Sequence, residues 1–291
     1  MLVPAAFDYV APTSIEEVLT VLSQTPDAKV LAGGQSLLPL MNSRALRPPV
    51  VVDVDRVPQL AERNMDGSEF TLGALTRQRW LETERSVAEH IPALGEAAGL
   101  IGDLGVRRRG TLGGSLAHAD PGAELPVACV LLGAQIEAIG PWGTRSIPAS
   151  EFFQGPFQTV LDRTELLVSV RVPLLARPSE TCAVRELSAC RHGSNTVGAA
   201  RVSWDEDGFC SRLRVVVSGT DGPQDITAEA TGLIGTRVTD ADLRDVRSRL
   251  ANRPAEGPDL KDMAVLQAEV TVAALATARE RNIRRQKGNP S

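Results

Sequence analysis

Two Gly-Gly pairs, each beside a small hydroxyl residue, are the parts of this sequence best suited to chemistry. The first lies in Ala32-Gly33-Gly34-Gln35-Ser36-Leu37, the second in Gly110-Thr111-Leu112-Gly113-Gly114-Ser115. Glycine has no Cβ, so backbone N–H groups at such turns can point outward and approach an anion closely. The amides of Ala32–Ser36 and Thr111–Ser115, with the hydroxyls of Ser36, Thr111 and Ser115, would form two donor arrays able to grip one large phosphorylated ligand from two sides. Gly and Ser are also ordinary turn residues. The weight therefore rests on the pairing and on the sequence around each segment. Neither segment has the Gly-x-Gly-x-x-Gly spacing of a Rossmann turn, and Gly-Gly-Ser-Leu is not a nucleophile elbow.

The other reactive residue types are sparse. Asp120 and Glu124 follow the second segment and flank Pro121. A carboxylate accepts strongly from hydroxyl donors, but Asp before Pro is also a common helix start, and both readings stand for these residues. His90, His118 and His192 are scattered, with no acidic companion at metal-ligand spacing, so no metal is expected. His118 reads as a residue that orders its loop. Cys129, Cys182, Cys190 and Cys210 form no C-x-x-C pair. They read as buried free thiols, and the chain is expected to carry no iron–sulfur cluster.

The elements that would position these residues follow from periodicity. Ser14–Leu22 reads as a capped amphipathic helix, with Glu17 behind Thr13 and Ser14. Lys29–Ala32 reads as a strand entering the first turn, Ser36–Met41 as a short helix packed inward, and Val50–Val54 as a buried strand. These form a first unit over residues 1–55. A second unit, 56–176, has strands at Glu69–Ala74, Ala134–Ile139 and Glu165–Val172. Its helices are expected at Thr76–Glu84, Ile91–Ala98 and Leu125–Leu132, the last closed by Gly133. Gly110–Leu116 is expected as a turn, and Pro173–Pro178 as a linker. The third unit, 177–291, shows strands at Val184–Leu187, Thr196–Trp204 and Leu213–Ser218, with a hairpin turn at Asp205–Gly208. Helices follow at Thr227–Leu233, Asp240–Leu250 and Leu260–Arg281. The fold class is α+β: a two-part α/β domain, then a three-stranded antiparallel sheet with helices.

Composition sets outer bounds. The 291 residues suffice for two or three units with real cores, and the net charge of -5 is mild. Arg107-Arg108-Arg109 is too short a basic run to suggest nucleic acid, and Arg279–Lys287 reads as a solvated helix end. No stretch near the ~20 apolar residues of a membrane span is present, and the N-terminus lacks a secretory pattern. A cytoplasmic protein is expected.

The text around the glycine segments resembles the FAD-binding medium subunit of the molybdenum hydroxylases, the group that includes carbon monoxide, xanthine, nicotine, quinoline and caffeine dehydrogenases. The resemblance runs through Ala6-Phe7-Asp8-Tyr9, Pro12-Thr13-Ser14, Leu31–Met41, Val51-Val52-Asp53, Leu72-Gly73-Ala74, Val106–Pro121 and Glu124-Leu125-Pro126, and weakens after about Pro173. It implies an FAD-binding fold of the vanillyl-alcohol-oxidase (PCMH) type. It further implies one FAD whose diphosphate lies against Ala32, Gly33, Gly34, Gln35 and Ser36 on one side and Thr111, Gly113, Gly114 and Ser115 on the other. Leu37 would wall the cofactor, an acidic residue at Glu124 (with Asp120 beside it) would meet the ribityl hydroxyls, and Leu167 would contact FAD through its backbone. No His or Cys stands in an obvious attachment position, so the flavin is expected to be non-covalent.

The same resemblance implies partners: a large molybdopterin subunit where substrate is hydroxylated, and a small subunit with two [2Fe-2S] clusters, in a dimer of heterotrimers. The FAD would pass electrons from the clusters to an external acceptor, and this chain alone would not act on substrate. A free-standing FAD-dependent oxidoreductase of the same domain type is the alternative. Two departures from the family stand out. Relatives carry a basic residue in an aromatic-Lys stretch near the flavin, where this chain has Val184-Arg185-Glu186-Leu187; Arg185 is the candidate substitute. Relatives also follow Gly-Asp with an aromatic residue that covers one flavin face. Here Gly193-Ser194-Asn195 stands instead, and Asn cannot stack as Tyr does.

Overall fold

The computed structural model describes residues 3–175, 179–188, 195–220, 222–254 and 258–287. Its N-terminal part is a three-stranded parallel sheet in the order Asp8–Val10, Val50–Asp53, Lys29–Leu31. The helix Ile15–Gln24 covers it. Ser14 Oγ accepts from Glu17 N at 3.2 Å, and Glu17 reaches back to Thr13 N at 2.7 Å. These contacts satisfy donors that a helix start would otherwise leave bare. Val18 and Leu22 of this helix pack on Val52 and Val54, and the same cluster takes in Leu60, Leu75 and Leu166 from farther along the chain.

A five-stranded antiparallel sheet comes next, in the order Arg63–Asp66, Glu69–Gly73, Leu166–Pro173, Gln135–Gly140, Gly143–Pro148. Helices Gln78–Thr83, Arg85–His90, Pro92–Leu100, Leu104–Arg109, Leu112–His118 and Glu124–Leu132 belong to the same part, and the last two touch its central strand Leu166–Pro173. Every residue of Glu124–Leu132 is buried, and Gly133 closes that helix in the left-handed region with φ +71°. A helix apolar on all sides must be enclosed on all sides. The Glu69–Gly73 sheet and the third sheet enclose it within one core that runs from Phe70 to Val216.

The C-terminal sheet has four strands rather than the three that its pattern suggests: Glu180–Ser188, Asn195–Trp204, Cys210–Gly219 and Gly222–Asp225. The fourth strand is short, carries a proline and pairs only with Cys210–Gly219. It has too few alternating residues to stand out in sequence. The turn at Asp205–Gly208 forms as expected, with Gly208 N donating to Asp205 O at 3.1 Å and φ +81° at Gly208. The last helix, Pro258–Gln286, is longer than its apolar pattern and lies along this sheet. The expected linker begins inside a strand that ends at Pro173, and residues 176–178 lie outside the described ones. No described helix is long and apolar enough to cross a membrane.

Candidate functional site

The first glycine segment leaves the strand Lys29–Leu31 and enters the helix Leu37–Asn42. Among the described residues, the amides of Gly33, Gly34, Gln35, Ser36 and Leu37 find no hydrogen-bond acceptor. Ser36 holds the N-cap position without a capping bond, leaving its hydroxyl available. Gln35 folds over the turn, its Nε2 donating to Gly33 O at 3.2 Å. Gly34 adopts φ +73°, a value that favours glycine. Amides at a helix start have no intrahelical acceptor, and these partly exposed ones are open to water or to an outside acceptor. The helix Leu37–Asn42 is not packed inward as expected: Met41 is buried, but Leu38 is 39% exposed and Leu40 37%. Leu37 is half-buried at its start.

The second segment is built differently from the expectation. It is a helix, Leu112–His118, not a turn. The Thr111 side chain, buried at 2% exposure, accepts from Gly114 N at 3.1 Å as its N-cap. Leu112 N donates to Thr76 O, Gly113 N to Ala74 O and Ser115 N to Thr111 O. The amides of residues 112–115 are therefore occupied, and of the donors expected at Thr111–Ser115 the Thr111 amide and the half-buried Ser115 hydroxyl remain. Gly113 is glycine for packing: a Cβ there would lie 2.6 Å from Ala74 Cβ.

What the structure adds is contact between the segments. A Cβ on Gly33 would sit 2.2 Å from Arg109 O and 2.9 Å from the Gly110 Cα, and one on Gly114 would come within 3.9 Å of Ala32 Cβ. The free amides of the first segment thus lie beside the bare face of the second. Arg77 braces the junction. Its guanidinium donates to Arg109 O at 2.6 Å and pairs with Asp55, and Arg77 itself bridges Thr111 backbone to backbone.

Behind the second segment stands Glu124, 8% exposed at the first turn of its helix. No side chain among the described residues donates to it. Burial raises its carboxyl to about 7, with the charges of Glu186 and Asp120 adding to the effect. Asp120 is exposed and accepts from Gly122 N at 2.9 Å, so it caps a turn, while Ala123 is the N-cap of the following helix. His118 packs its ring on Phe157, centroids 5.1 Å apart, and burial lowers its pKa. Leu167 has a buried side chain at a bulge in its strand. The neighbouring Val168 O receives Ala74 N at 2.9 Å, the rung next to Gly113.

Arg185, the candidate substitute for the family's basic residue, is engaged within its own neighbourhood. Its Nη1 donates to Val184 O at 2.7 Å and lies 3.5 Å from Glu96. The residue of that strand whose charge reaches Glu124 is Glu186, itself raised by burial. A two-residue repeat separates the faces of a strand, so the choice between 185 and 186 needed the strand's register. Asn195 is described and exposed, but Gly193 and Ser194 lie outside the described residues. Cys129, Cys182 and Cys210 are buried and free, their thiols raised to about 12, 12 and 11 by burial. Cys190 is not among the described residues. No group of potential metal ligands occurs among those that are.

Free amides beside a glycine face offer donors to a phosphate, and behind them the buried Glu124 carboxyl, which takes a hydrogen bond from its own backbone amide and from no other side chain, offers an acceptor to hydroxyls: the donor and acceptor set that a dinucleotide requires. Comparison with known proteins narrows the class. The family described as the FAD binding domain in molybdopterin dehydrogenase matches residues 5–175. The chain is 43% identical over 219 residues to the 6-hydroxypseudooxynicotine dehydrogenase complex subunit alpha of Paenarthrobacter nicotinovorans, covering 74% of this chain and 73% of that one. It is 37% identical to the carbon monoxide dehydrogenase medium chain of Hydrogenophaga pseudoflava, covering 75% and 76%. Among solved structures, carbon monoxide dehydrogenase from H. pseudoflava superposes with TM-score 0.87 at 32% identity, over 96% of this chain and 99% of that one. Quinoline 2-oxidoreductase from Pseudomonas putida 86 gives 0.87 at 31%, over 97% and 99%. The chain belongs to the family of FAD-binding subunits of molybdenum-containing dehydrogenases, and is an oxidoreductase subunit of the carbon monoxide dehydrogenase medium-chain type.

Proposed function

We propose that this chain holds one non-covalent FAD between its glycine segments and serves as the electron-output subunit of a molybdopterin dehydrogenase. The observation that carries the reading is the run of unbonded amides from Gly33 to Leu37, set against Gly114. Those amides would take the diphosphate, with Ser36 and Ser115 adding hydroxyl donors. Fixed N–H groups neutralise charge without ordering long side chains. Thr111, Gly113 and the backbone near Leu167 would shape the second wall, and Leu37 would flank it. Glu124 would accept from the ribityl hydroxyls, with Asp120 nearby at the rim. When bound, FAD supplies electron exchange between iron–sulfur donors and an external acceptor.

In this reading the molybdopterin and two [2Fe-2S] clusters belong to a large and a small partner subunit, and the assembly is a dimer of heterotrimers in the cytoplasm. Relatives named as subunits or medium chains of dehydrogenases support the need for partners. This chain lacks cluster ligands among its described residues.

The test begins with the purified protein's visible flavin spectrum. Acid precipitation should release all the colour as free FAD; colour kept in the pellet would defeat the non-covalent reading. The chain by itself, loaded with FAD, should reduce no dye when offered heterocycles, aldehydes or carbon monoxide. Substrate-dependent dye reduction by the metal-free chain would favour a free-standing flavin oxidoreductase.

A further inference from the structure

We infer that Arg77 is a positioning residue for the FAD site: it fixes the spacing of the two glycine segments by holding the Arg109 carbonyl against Gly33. The inference rests on the proposed FAD site and adds a residue outside both segments. Arg77 lies at the N-cap of the helix Gln78–Thr83, three residues after Ala74. One amino group donates to Arg109 O at 2.6 Å and the other pairs with Asp55, just beyond the strand Val50–Asp53. Asp55 N in turn donates to Asp53 Oδ1 at 2.9 Å, and Asp53 Oδ2 receives Tyr9 Oη at 2.6 Å. A continuous polar chain therefore runs from the parallel sheet, through Arg77, to the residue that opens the second segment.

The Arg109 carbonyl oxygen is also the atom that a Cβ on Gly33 would meet first, at 2.2 Å. One guanidinium thus holds, from Asp55, the carbonyl that lies beside Gly33. A planar fork with two donors can hold a carboxylate and a carbonyl at once, whereas lysine offers a single point charge. The surrounding backbone bonds, Gln78 N to Gly110 O and Leu112 N to Thr76 O, both 2.8–2.9 Å, keep the second segment folded without Arg77. With Gly113 N to Ala74 O, and the packing of Leu75 and Leu60 on Val52 and Val54, they set the general placement of the two parts; the Arg77 guanidinium adds the side-chain link that reaches the Arg109 carbonyl itself.

The experiment uses the full chain, co-produced with its partner subunits where these are needed for solubility. FAD dissociation constants and apo-protein melting temperatures are measured for wild type, Arg77→Ala, Arg77→Lys and Asp55→Asn. The expected result is a loss of FAD affinity of about tenfold or more in Arg77→Ala, partial recovery in Arg77→Lys, and a smaller loss in Asp55→Asn. The flavin reduction potential and visible band shape of the residual holo-protein should stay as in wild type, because the diphosphate end alone is disturbed. Wild-type affinity in a folded Arg77→Ala would overturn the inference. So would a loss of FAD affinity that appears in these variants only alongside a matching fall in apo-protein melting temperature, which would assign the effect to general destabilisation. Should Arg77→Ala fail to fold, Asp55→Asn and Arg77→Lys decide: unchanged FAD affinity in both rejects the role. If wild type itself bound no FAD, the site reading would fail, and not the role of Arg77.

Discussion

Glu124 is an acid buried among acids, and that decides its protonation. Losing water disfavours the carboxylate, and Glu186 and Asp120 push the same way, lifting the group from 4.5 to about 7. In the unfolded chain it titrates normally, so between those values the folded protein binds the extra proton. Stability from this group is fully present below the unfolded value and is lost as pH rises through about 7. A lift of that size corresponds to roughly 3 kcal/mol at most. Apo-protein melts at pH 5 and pH 8 should therefore show lower stability at pH 8, and Glu124→Gln should remove much of the difference by stabilising the protein at pH 8. An unchanged pH dependence in Glu124→Gln would place the titrating group elsewhere. Toward FAD the same residue has the opposite sign. A charge-assisted hydrogen bond is worth about 1.5–3 kcal/mol, so Glu124→Ala should loosen FAD on the order of tenfold to a hundredfold in a titration of apo-protein, and Glu124→Gln less.

The two glycine pairs do different work at the scale of elements, although they look alike in sequence. In the first, glycine permits a left-handed residue at Gly34 and the contact of Gly33 with Arg109 O. In the second, Gly113 lets a helix press on Ala74, and Gly114 leaves room for the Thr111 cap, which a Cβ would approach to 2.7 Å. The consequences of substitution differ accordingly. Gly33→Ala meets backbone and must separate the segments, at a cost on the order of 1–3 kcal/mol, with a marked loss of FAD. Gly114→Ala meets a side-chain hydroxyl and should cost about 1 kcal/mol by weakening the cap. Thr111→Val removes that hydroxyl and should match Gly114→Ala in a thermal melt. Equal melting temperatures for Gly33→Ala and wild type would contradict the contact seen at Arg109.

Across the whole molecule, the C-terminal helix and sheet share a core with the FAD-binding part, and one carboxylate gathers polar links between them. Glu96, on the helix Pro92–Leu100, receives Val184 N at 3.1 Å, lies 3.5 Å from Arg185 and pairs with Arg281 of the last helix, which also donates to Cys182 O. Removing it takes the Glu96 acceptor from the Val184 amide and leaves the partly buried Arg185 and Arg281 guanidiniums with a backbone carbonyl each in place of a carboxylate. Glu96→Ala should therefore lower stability by about 2 kcal/mol, more than an exposed ion pair such as Arg85–Glu89, where loss should fall within about 1 kcal/mol. Chemical denaturation of the two variants side by side checks this, and equal midpoints would refute it.

Local pattern alone settled a good deal here. The Ser14 cap with Glu17, the apolar run that became Glu124–Leu132, the Asp205–Gly208 turn and the buried thiols all follow from short-range periodicity and capping chemistry, which act between residues near in sequence. The family followed from two literal glycine segments. The tertiary structure decided which amides remain free, because Thr76 and Ala74, more than thirty residues away, take those of the second segment. It likewise decided that Glu186 rather than Arg185 faces Glu124, since that depends on strand register. It also decided that Gly33 meets Arg109 under the hold of Arg77. Each of these turns on where distant backbone comes to lie, and hydrogen-bond partners and close approaches of that kind leave no periodic trace in a chain read residue by residue.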